Sequence, residues 1–209
     1  MLLGRDAEHA GLRELLDRAR HGTSAALVIR GEPGIGKSSL LDDAVAAAEG
    51  MTVLRARGVE SESELSFAGL ADLLAPVVDE RDALPAPQRA ALAGALALGP
   101  PVAGDRFTVY AATLSLLAMA AERAPVLAVV DDAPWIDPPS REALVFAARR
   151  LGEEGVVLLF AARTGEADRV NARTLEPLRM SRLENDLLRM ASSQGARGRS
   201  ASYEQSFIR

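Results

Sequence analysis

One glycine-containing turn limits what this chain can fold into. The stretch from Ala25 to Leu41 reads AALVIRGEPGIGKSSLL, in which an apolar run ends at Gly31 and a second apolar run begins after the turn. A short apolar run bounded by glycines is typical of a buried strand, and the second run has helical character. The stretch therefore predicts a strand, a tight turn and a helix in that order, the local unit from which α/β folds are built.

The same turn contains the only lysine of the chain. Of 24 basic residues one is lysine, so 23 are arginine. Gly31, Gly36, Lys37 and Ser38 match the spacing G-x-x-x-x-G-K-[ST], in which backbone N–H groups surround nucleotide phosphates. Lysine provides a flexible point charge for the β- and γ-phosphates, which the planar arginine fork fits poorly. The spacing predicts binding of ATP or ADP with Mg²⁺, and Ser38 provides a hydroxyl ligand for the metal.

We expect the whole turn to hold the phosphates. Glycines allow a tight turn without a side chain in the way, and the N-terminus of the following helix adds partial positive charge. The residues predicted to contact the nucleotide here are Gly31, Gly34, Ile35, Gly36, Lys37, Ser38 and Ser39.

A nucleotide site of this kind also needs an acidic residue at the end of another apolar strand. The stretch VLAVVDDAPWID supplies Asp131 and Asp132. We expect Asp131 to hold Mg²⁺ directly or through water, together with Ser38. Asp132 stands where many hydrolytic proteins place a water-orienting acid, usually the longer glutamate, so slow hydrolysis is expected if any. A helix cap or a surface turn is the alternative interpretation of this acidic pair.

Arg163 is the second candidate catalytic residue beside Asp132. It ends the apolar stretch VVLLFAAR, and the carboxyl ends of strands line the ligand crevice of open α/β sheets. Arg163 is therefore a candidate sensor of the γ-phosphate, with a solvated arginine at a strand end as the alternative.

Strand-like and helical stretches alternate along the chain. The strands AALVIRG, MTVLRARGV, PVLAVVDD and GVVLLFAAR are separated by helical patterns, which predicts right-handed crossovers and a mostly parallel sheet. We predict a three-layer α/β P-loop NTPase fold, with its ATPase core in residues 1–169. Residues 170–209 are expected to add a last strand at TLEPLRM, the start of a lid helix at SRLENDLLRMA, and a poorly ordered basic tail.

Charge and composition exclude several classes of protein. The chain has no cysteine, which excludes disulfides and thiolate metal sites. No apolar run approaches the length of a membrane span, so a cytoplasmic protein is expected. The net charge of −5 divides into +3 for residues 170–209, with seven Arg and four acidic residues, and −8 for the rest. Because the basic residues are few and scattered, we expect no sequence-specific DNA binding by this chain alone.

Four stretches resemble one family of regulators. LLGRDAEHAGLRELL, VIRGEPGIGKSSLL, SELSFAGLADLLAPV and VLAVVDDAPWIDPPSREALVFAARRL are similar to the N-terminal ATPase of large ATP-binding LuxR-family regulators, which are MalT-like signal-transducing (STAND) ATPases. The resemblance implies an AAA-type core in which one strand separates the P-loop strand from the Asp131 strand. It also implies that Arg5 lies beside the adenine. Pro134 departs from the family pattern, which usually has histidine or glutamine before the tryptophan.

The resemblance implies a nucleotide-dependent regulatory switch. Members of the family continue through a lid, a winged helix, a sensor region and a helix-turn-helix, whereas this chain stops near the start of the lid. A fragment, a truncated gene product and a stand-alone module are therefore all open, as are self-association and missing C-terminal effector domains. The rival functions are a small P-loop kinase and a nucleotide-binding interaction module that does not hydrolyse.

Overall fold

The computed structural model describes residues 6–101 and 106–163 and the backbone of a short strand at 202–203. Five strands form one sheet. They are β1 (Ala25–Gly31), β2 (Thr52–Arg57), β3 (Val126–Asp131), β4 (Val156–Arg163) and β5 (Ser202–Tyr203). Six α-helices accompany them in the described residues: α1 (Asp6–Arg20), α2 (Lys37–Ala46), α3 (Ala68–Leu74), α4 (Ala86–Ala95), α5 (Arg106–Arg123) and α6 (Pro138–Ala148).

The strand order is β2-β3-β4-β1-β5. The first four strands are mutually parallel where they pair, which confirms the predicted sheet. β4 lies between β1 and β3, as expected for an AAA-type core. β5 is antiparallel to β1 and pairs only with Ile29 and Arg30. The sequence did not predict this strand, since two residues are too few to show a period. The stretches TLEPLRM and SRLENDLLRMA lie outside the described residues.

The sheet is covered on both faces, which confirms the three layers. On one face, α1 and α2 bury leucines against alternate residues of β1, β3 and β4, among them Leu27, Val129 and Leu159. On the other face, α3 to α6 pack against the opposite residues of β1 to β4, including Leu54, Val130 and Phe160. Because both faces are buried, β3 and β4 can be apolar almost throughout.

The long connection from β2 to β3 consists of helices, turns and short loops, with no strand in its described part. It contains 3₁₀ turns at Glu60–Glu62 and Ala75–Ala83 besides α3, α4 and α5. Its apolar side joins the core on the face that α6 also covers. Among the described helices, none combines the length and the apolar character that a membrane crossing demands. The insertion therefore thickens one layer of the domain and leaves the other face to α1 and α2.

Candidate functional site

The glycine-containing turn connects β1 to α2 as the sequence predicts. β1 ends at Gly31 and α2 begins at Lys37. Gly34 and Gly36 have φ angles of 75° and 96°, in the left-handed region that favours glycine. Gly36 is the N-cap of α2, and no side chain caps that helix. The turn thus brings the positive end of α2 to the end of β1 without a capping side chain in between.

Lys37 lies inside this turn. It is 8% exposed, and its Nζ donates to the carbonyl oxygens of Gly31 at 2.9 Å and Glu32 at 3.0 Å. These two bonds hold the ammonium group at the end of β1, beside the backbone that the motif assigns to the phosphates. A buried cation held by backbone carbonyls alongside a helix N-terminus can bind an anion such as a phosphate.

The carboxyl ends of the four parallel strands lie side by side. Gly31 of β1 is in register with Arg163 of β4, and Arg57 of β2 is in register with Asp131 of β3. Since β4 pairs with β3 as well, all four residues lie along one edge of the sheet. The structure therefore brings the turn, both acidic residues and the predicted arginine to the same edge.

The acidic turn, residues 131–137, begins at Asp131, the last residue of β3, and continues with Asp132. Asp132 adopts a left-handed backbone with a φ of 46°, and its N–H donates to Oδ1 of Asp131 at 2.9 Å. Neither aspartate caps a helix with its side chain; Asp137 does so for α6. Asp132 stands at the N-cap position of the 3₁₀ turn Ala133–Trp135 but makes no capping bond with its side chain. Capping by the side chains of the pair is therefore wrong, and the surface turn stays the alternative interpretation.

Two arginines from neighbouring strands flank Asp132. Nη2 of Arg57 lies 3.2 Å from Oδ2 of Asp132, and Nη2 of Arg163 lies 3.6 Å from Oδ1. The side chain of Asp132 is 16% exposed, against 71% for Arg57 and 40% for Arg163. Sequence reasoning missed Arg57. The sequence does show a basic residue at the end of a predicted strand. Its contact with Asp132, however, depends on which strand lies beside β2.

A glycine behind the acidic turn was also missed. Gly58 follows β2, and its N–H donates to the carbonyl of Asp131 at 2.8 Å. A Cβ atom at Gly58 would lie 2.2 Å from the carbonyl oxygen of Asp132 and 2.8 Å from Ile136 N. Only glycine lets the end of β2 approach the acidic turn this closely.

Asp137 anchors the far end of the turn. It is 2% exposed, and it caps α6 by accepting from the N–H of Ser140 at 2.9 Å. Arg141 follows Ser140 in the first turn of α6. Burial lowers the pKa of its guanidinium, and the charges of Glu142 and Asp137 oppose this shift. The first turn of α6 is thus a buried, polar end of the site that sequence reasoning left out.

The residues present fit a nucleotide and Mg²⁺. The turn has open space beside Gly34, where a Cβ atom would meet nothing within 4 Å. No group of three or more His, Cys, Asp or Glu suited to a metal occurs among the described residues. Ser38 and Asp131 are the two oxygen ligands that the sequence predicts, and so small a set is compatible with Mg²⁺ because that ion keeps waters and phosphate oxygens as ligands. Arg5 lies outside the described residues.

The model of the AAA ATPase domain family matches residues 1–160, so the chain belongs to this family. Among solved structures, a Walker-type ATPase of Pyrococcus abyssi is similar to it, with a TM-score of 0.46 and 16% identity. The match covers 96% of this chain and 52% of that ATPase, so the chain spans about half its length. A comparison with curated protein sequences finds no match.

Proposed function

We propose that this chain is a regulatory ATPase domain that binds Mg·ATP, hydrolyses it slowly and acts as a nucleotide-dependent switch. The observation that carries the proposal is the turn from Gly31 to Ser38, with Asp131 two strands away across β4. A buried lysine, a helix N-terminus and an acidic strand end on one edge of a parallel sheet are the parts that nucleotide triphosphate binding requires.

Each residue has a distinct task in this proposal. The glycine turn binds phosphate oxygens through backbone N–H groups, and Lys37 supplies positive charge between them. Ser38 and Asp131 hold the metal ion, which when bound draws negative charge from the phosphates. Arg163, in register with Gly31, is the candidate γ-phosphate sensor. Arg5 remains the proposed neighbour of the adenine.

Asp132 explains why the proposed hydrolysis is slow. Its carboxylate is one methylene shorter than the glutamate usual at this place, and it is flanked by Arg57 and Arg163. A shorter side chain places the carboxylate less well beside a water molecule that attacks the γ-phosphate, so we expect it to orient that water poorly.

The regulatory part of the proposal is supported by the resemblance to LuxR-family ATPases. A small P-loop kinase is the less favoured alternative, because many such kinases have the P-loop strand directly beside the acidic strand, whereas β4 intervenes here. A non-hydrolysing interaction module would keep the same binding site. Phosphate release from Mg·ATP by the purified chain distinguishes the two functions. Release supports the proposed ATPase, and nucleotide binding without release supports the interaction module.

Thermal denaturation with Mg·ATP or Mg·ADP tests the binding proposal. At 100 times Kd, ligand binding should add about 2.7 kcal/mol to the free energy of unfolding. Lys37→Ala should abolish this gain. Arg55→Ala is the matched control, since it removes an exposed cation that pairs with Asp42 on α2. Stabilisation that survives Lys37→Ala, or that is lost equally in Arg55→Ala, would contradict the proposed site.

This chain alone is proposed not to read DNA sequence. Sequence-specific reading needs several side chains on base edges in a groove, and residues 1–169 carry a net charge of −8, which repels phosphates. Gel-shift titrations at near-physiological salt should detect no sequence-selective complex. One duplex bound at nanomolar concentration, with scrambled competitors failing, would overturn this part of the proposal.

A further inference from the structure

Asp137 and Ser140 join two segments that are far apart in the chain. The carboxylate of Asp137 accepts from the N–H groups of Phe67 at 2.8 Å and Gly69 at 3.0 Å, besides that of Ser140. The hydroxyl of Ser140 accepts from the N–H of Leu70 at 2.8 Å. Both Asp137 and Ser140 are buried. Three backbone donors at the start of α3 therefore end on two buried side chains at the start of α6.

These contacts exceed what α6 needs for itself. Capping α6 takes one bond, from the N–H of Ser140 to Asp137. The other three satisfy the N-terminal end of α3, whose N-cap Phe67 has a left-handed φ of 65° and no capping side chain. A buried N–H without an acceptor destabilises a fold. The start of α3 therefore keeps its position only while Asp137 keeps its own.

The same segment is packed tightly against the acidic turn. A Cβ atom at Gly69 would lie 2.5 Å from Cγ1 of Ile136, and one at Gly58 would lie 2.2 Å from the carbonyl oxygen of Asp132. The segment from 58 to 69 thus rests at both ends on residues 132–137, on the carbonyl group of Asp132 at Gly58 and on the side chain of Ile136 at Gly69. We expect a shift of the acidic turn to displace the start of α3 as well, because close-packed contacts transmit strain.

We propose that Asp137 is a positioning residue that couples the acidic end of the nucleotide site to α3, so that nucleotide binding opposes opening of residues 58–70. The inference rests on the proposed function, because the nucleotide must bind at the P-loop turn. Residues 59–66 carry two exposed apolar side chains, Val59 at 39% and Leu65 at 57%. The nucleotide would therefore control how firmly this surface is held.

Amide hydrogen exchange of the whole chain measures this coupling residue by residue. Mg·ATP at 100 times Kd should slow exchange at Phe67, Gly69 and Leu70 by up to about 100-fold, because any opening that breaks the nucleotide site is opposed by binding. The P-loop amides of Lys37 and Ser38 report binding itself. Protection of the P-loop amides without protection of residues 67–70 would overturn the coupling and leave the proposed function intact.

Asp137→Ser separates coupling from capping. Serine is a good N-cap for α6, but its hydroxyl is too short to reach α3. In this variant the nucleotide should still protect Lys37 and Ser38, whereas the nucleotide-dependent slowing at residues 67–70 should be lost. The hydrogen bonds of Asp137 and Ser140 described above go to the starts of α3 and α6. The amide of Leu92 in α4 therefore serves as the internal reference for general loosening.

Two results would count against the inference. Undiminished nucleotide-dependent slowing at residues 67–70 in Asp137→Ser would overturn it. If that variant does not fold, Gly69→Ala disturbs the same contact from the α3 side by pushing on Ile136, and it should lose the slowing in the same way. No protection of Lys37 and Ser38 in the unaltered chain is a different outcome, because it overturns nucleotide binding and the coupling together.

Discussion

The P-loop turn is made by consecutive residues from Gly31 to Ser38, whereas the acidic turn from Asp131 to Asp137 depends on contacts from β2, β4 and α3. In the first turn, glycines and a helix start fix the backbone locally. In the second, Gly58 and Arg57 come from one neighbouring strand and Arg163 from the other. The difference teaches that half of a nucleotide site can be contained in a motif while the other half exists only through tertiary packing.

The largest expected effect is on the acidic turn, which depends on tertiary packing. Gly58→Ala places a Cβ atom 2.2 Å from a backbone oxygen, and overpacking against backbone costs about 3 kcal/mol of unfolding free energy. Gly152→Ala is the control, since a Cβ there would meet nothing within 4 Å and should change stability by at most about 0.5 kcal/mol. Urea denaturation measures both. Equal stability of the two variants would show that the acidic turn tolerates displacement of β2.

The next effect separates the two aspartates of the acidic turn. Asp131→Asn should weaken the Mg²⁺-dependent part of ATP binding roughly 10- to 100-fold, because it removes a carboxylate from around the metal. Asp132→Asn should leave ATP binding close to that of the unaltered chain and lower any phosphate release. Calorimetric titration with ATP, with Mg²⁺ and with EDTA, gives the first quantity. Identical behaviour of the two variants would contradict this division of tasks.

A smaller effect on stability is expected for a substitution in the P-loop turn. Gly34→Ala meets no atom within 4 Å but must adopt a φ of 75°, which costs about 1 kcal/mol for a residue with a Cβ. Because the strain is confined to the turn, the loss should appear in urea denaturation without a change in the exchange of residues 67–70. A loss as large as that of Gly58→Ala would mean that the P-loop turn is also fixed by distant packing.

The smallest effect is expected for Arg57→Ala. The side chain is 71% exposed, and exposed ion pairs contribute about 0–1 kcal/mol to stability. Denaturation should therefore change by less than about 1 kcal/mol, and Arg55→Ala, at a second exposed pair, provides the comparison. If phosphate release changes while stability does not, the contact with Asp132 acts on the site itself. A loss well above 1 kcal/mol would place Arg57 among the residues that build the acidic turn.

The local half of the site was predictable, and so were the main elements of the fold. The spacing of Gly31, Gly36 and Lys37 fixes a strand, a turn and a helix, and the structure has them at the predicted places. The apolar run before Asp131 predicted a strand covered on both faces, which the two cores confirm. These features are local, so a single sequence contains the information needed to predict them.

The remainder depended on which strands lie side by side. Nothing in the neighbourhood of Arg57 identifies Asp132 as its partner, because the contact follows from the pairing of β2 with β3. Asp137 caps α6 in the structure, and its bonds to Phe67 and Gly69 join residues about 70 positions apart, so no local pattern predicts them. Gly58 looks like an ordinary residue after a strand, and only the close approach of the acidic turn gives it a role.

The solitary lysine has a consequence for enzymes that cut proteins. A protease that cleaves only after lysine has one target bond in this chain, between Lys37 and Ser38, and the side chain it must grip is 8% exposed. Cleavage can then occur only after the turn has opened, so the rate of appearance of the fragment 1–37 follows the population of that open form when reclosing is fast. The rate at which this fragment appears on a gel thus measures the opening of the turn that contains Lys37.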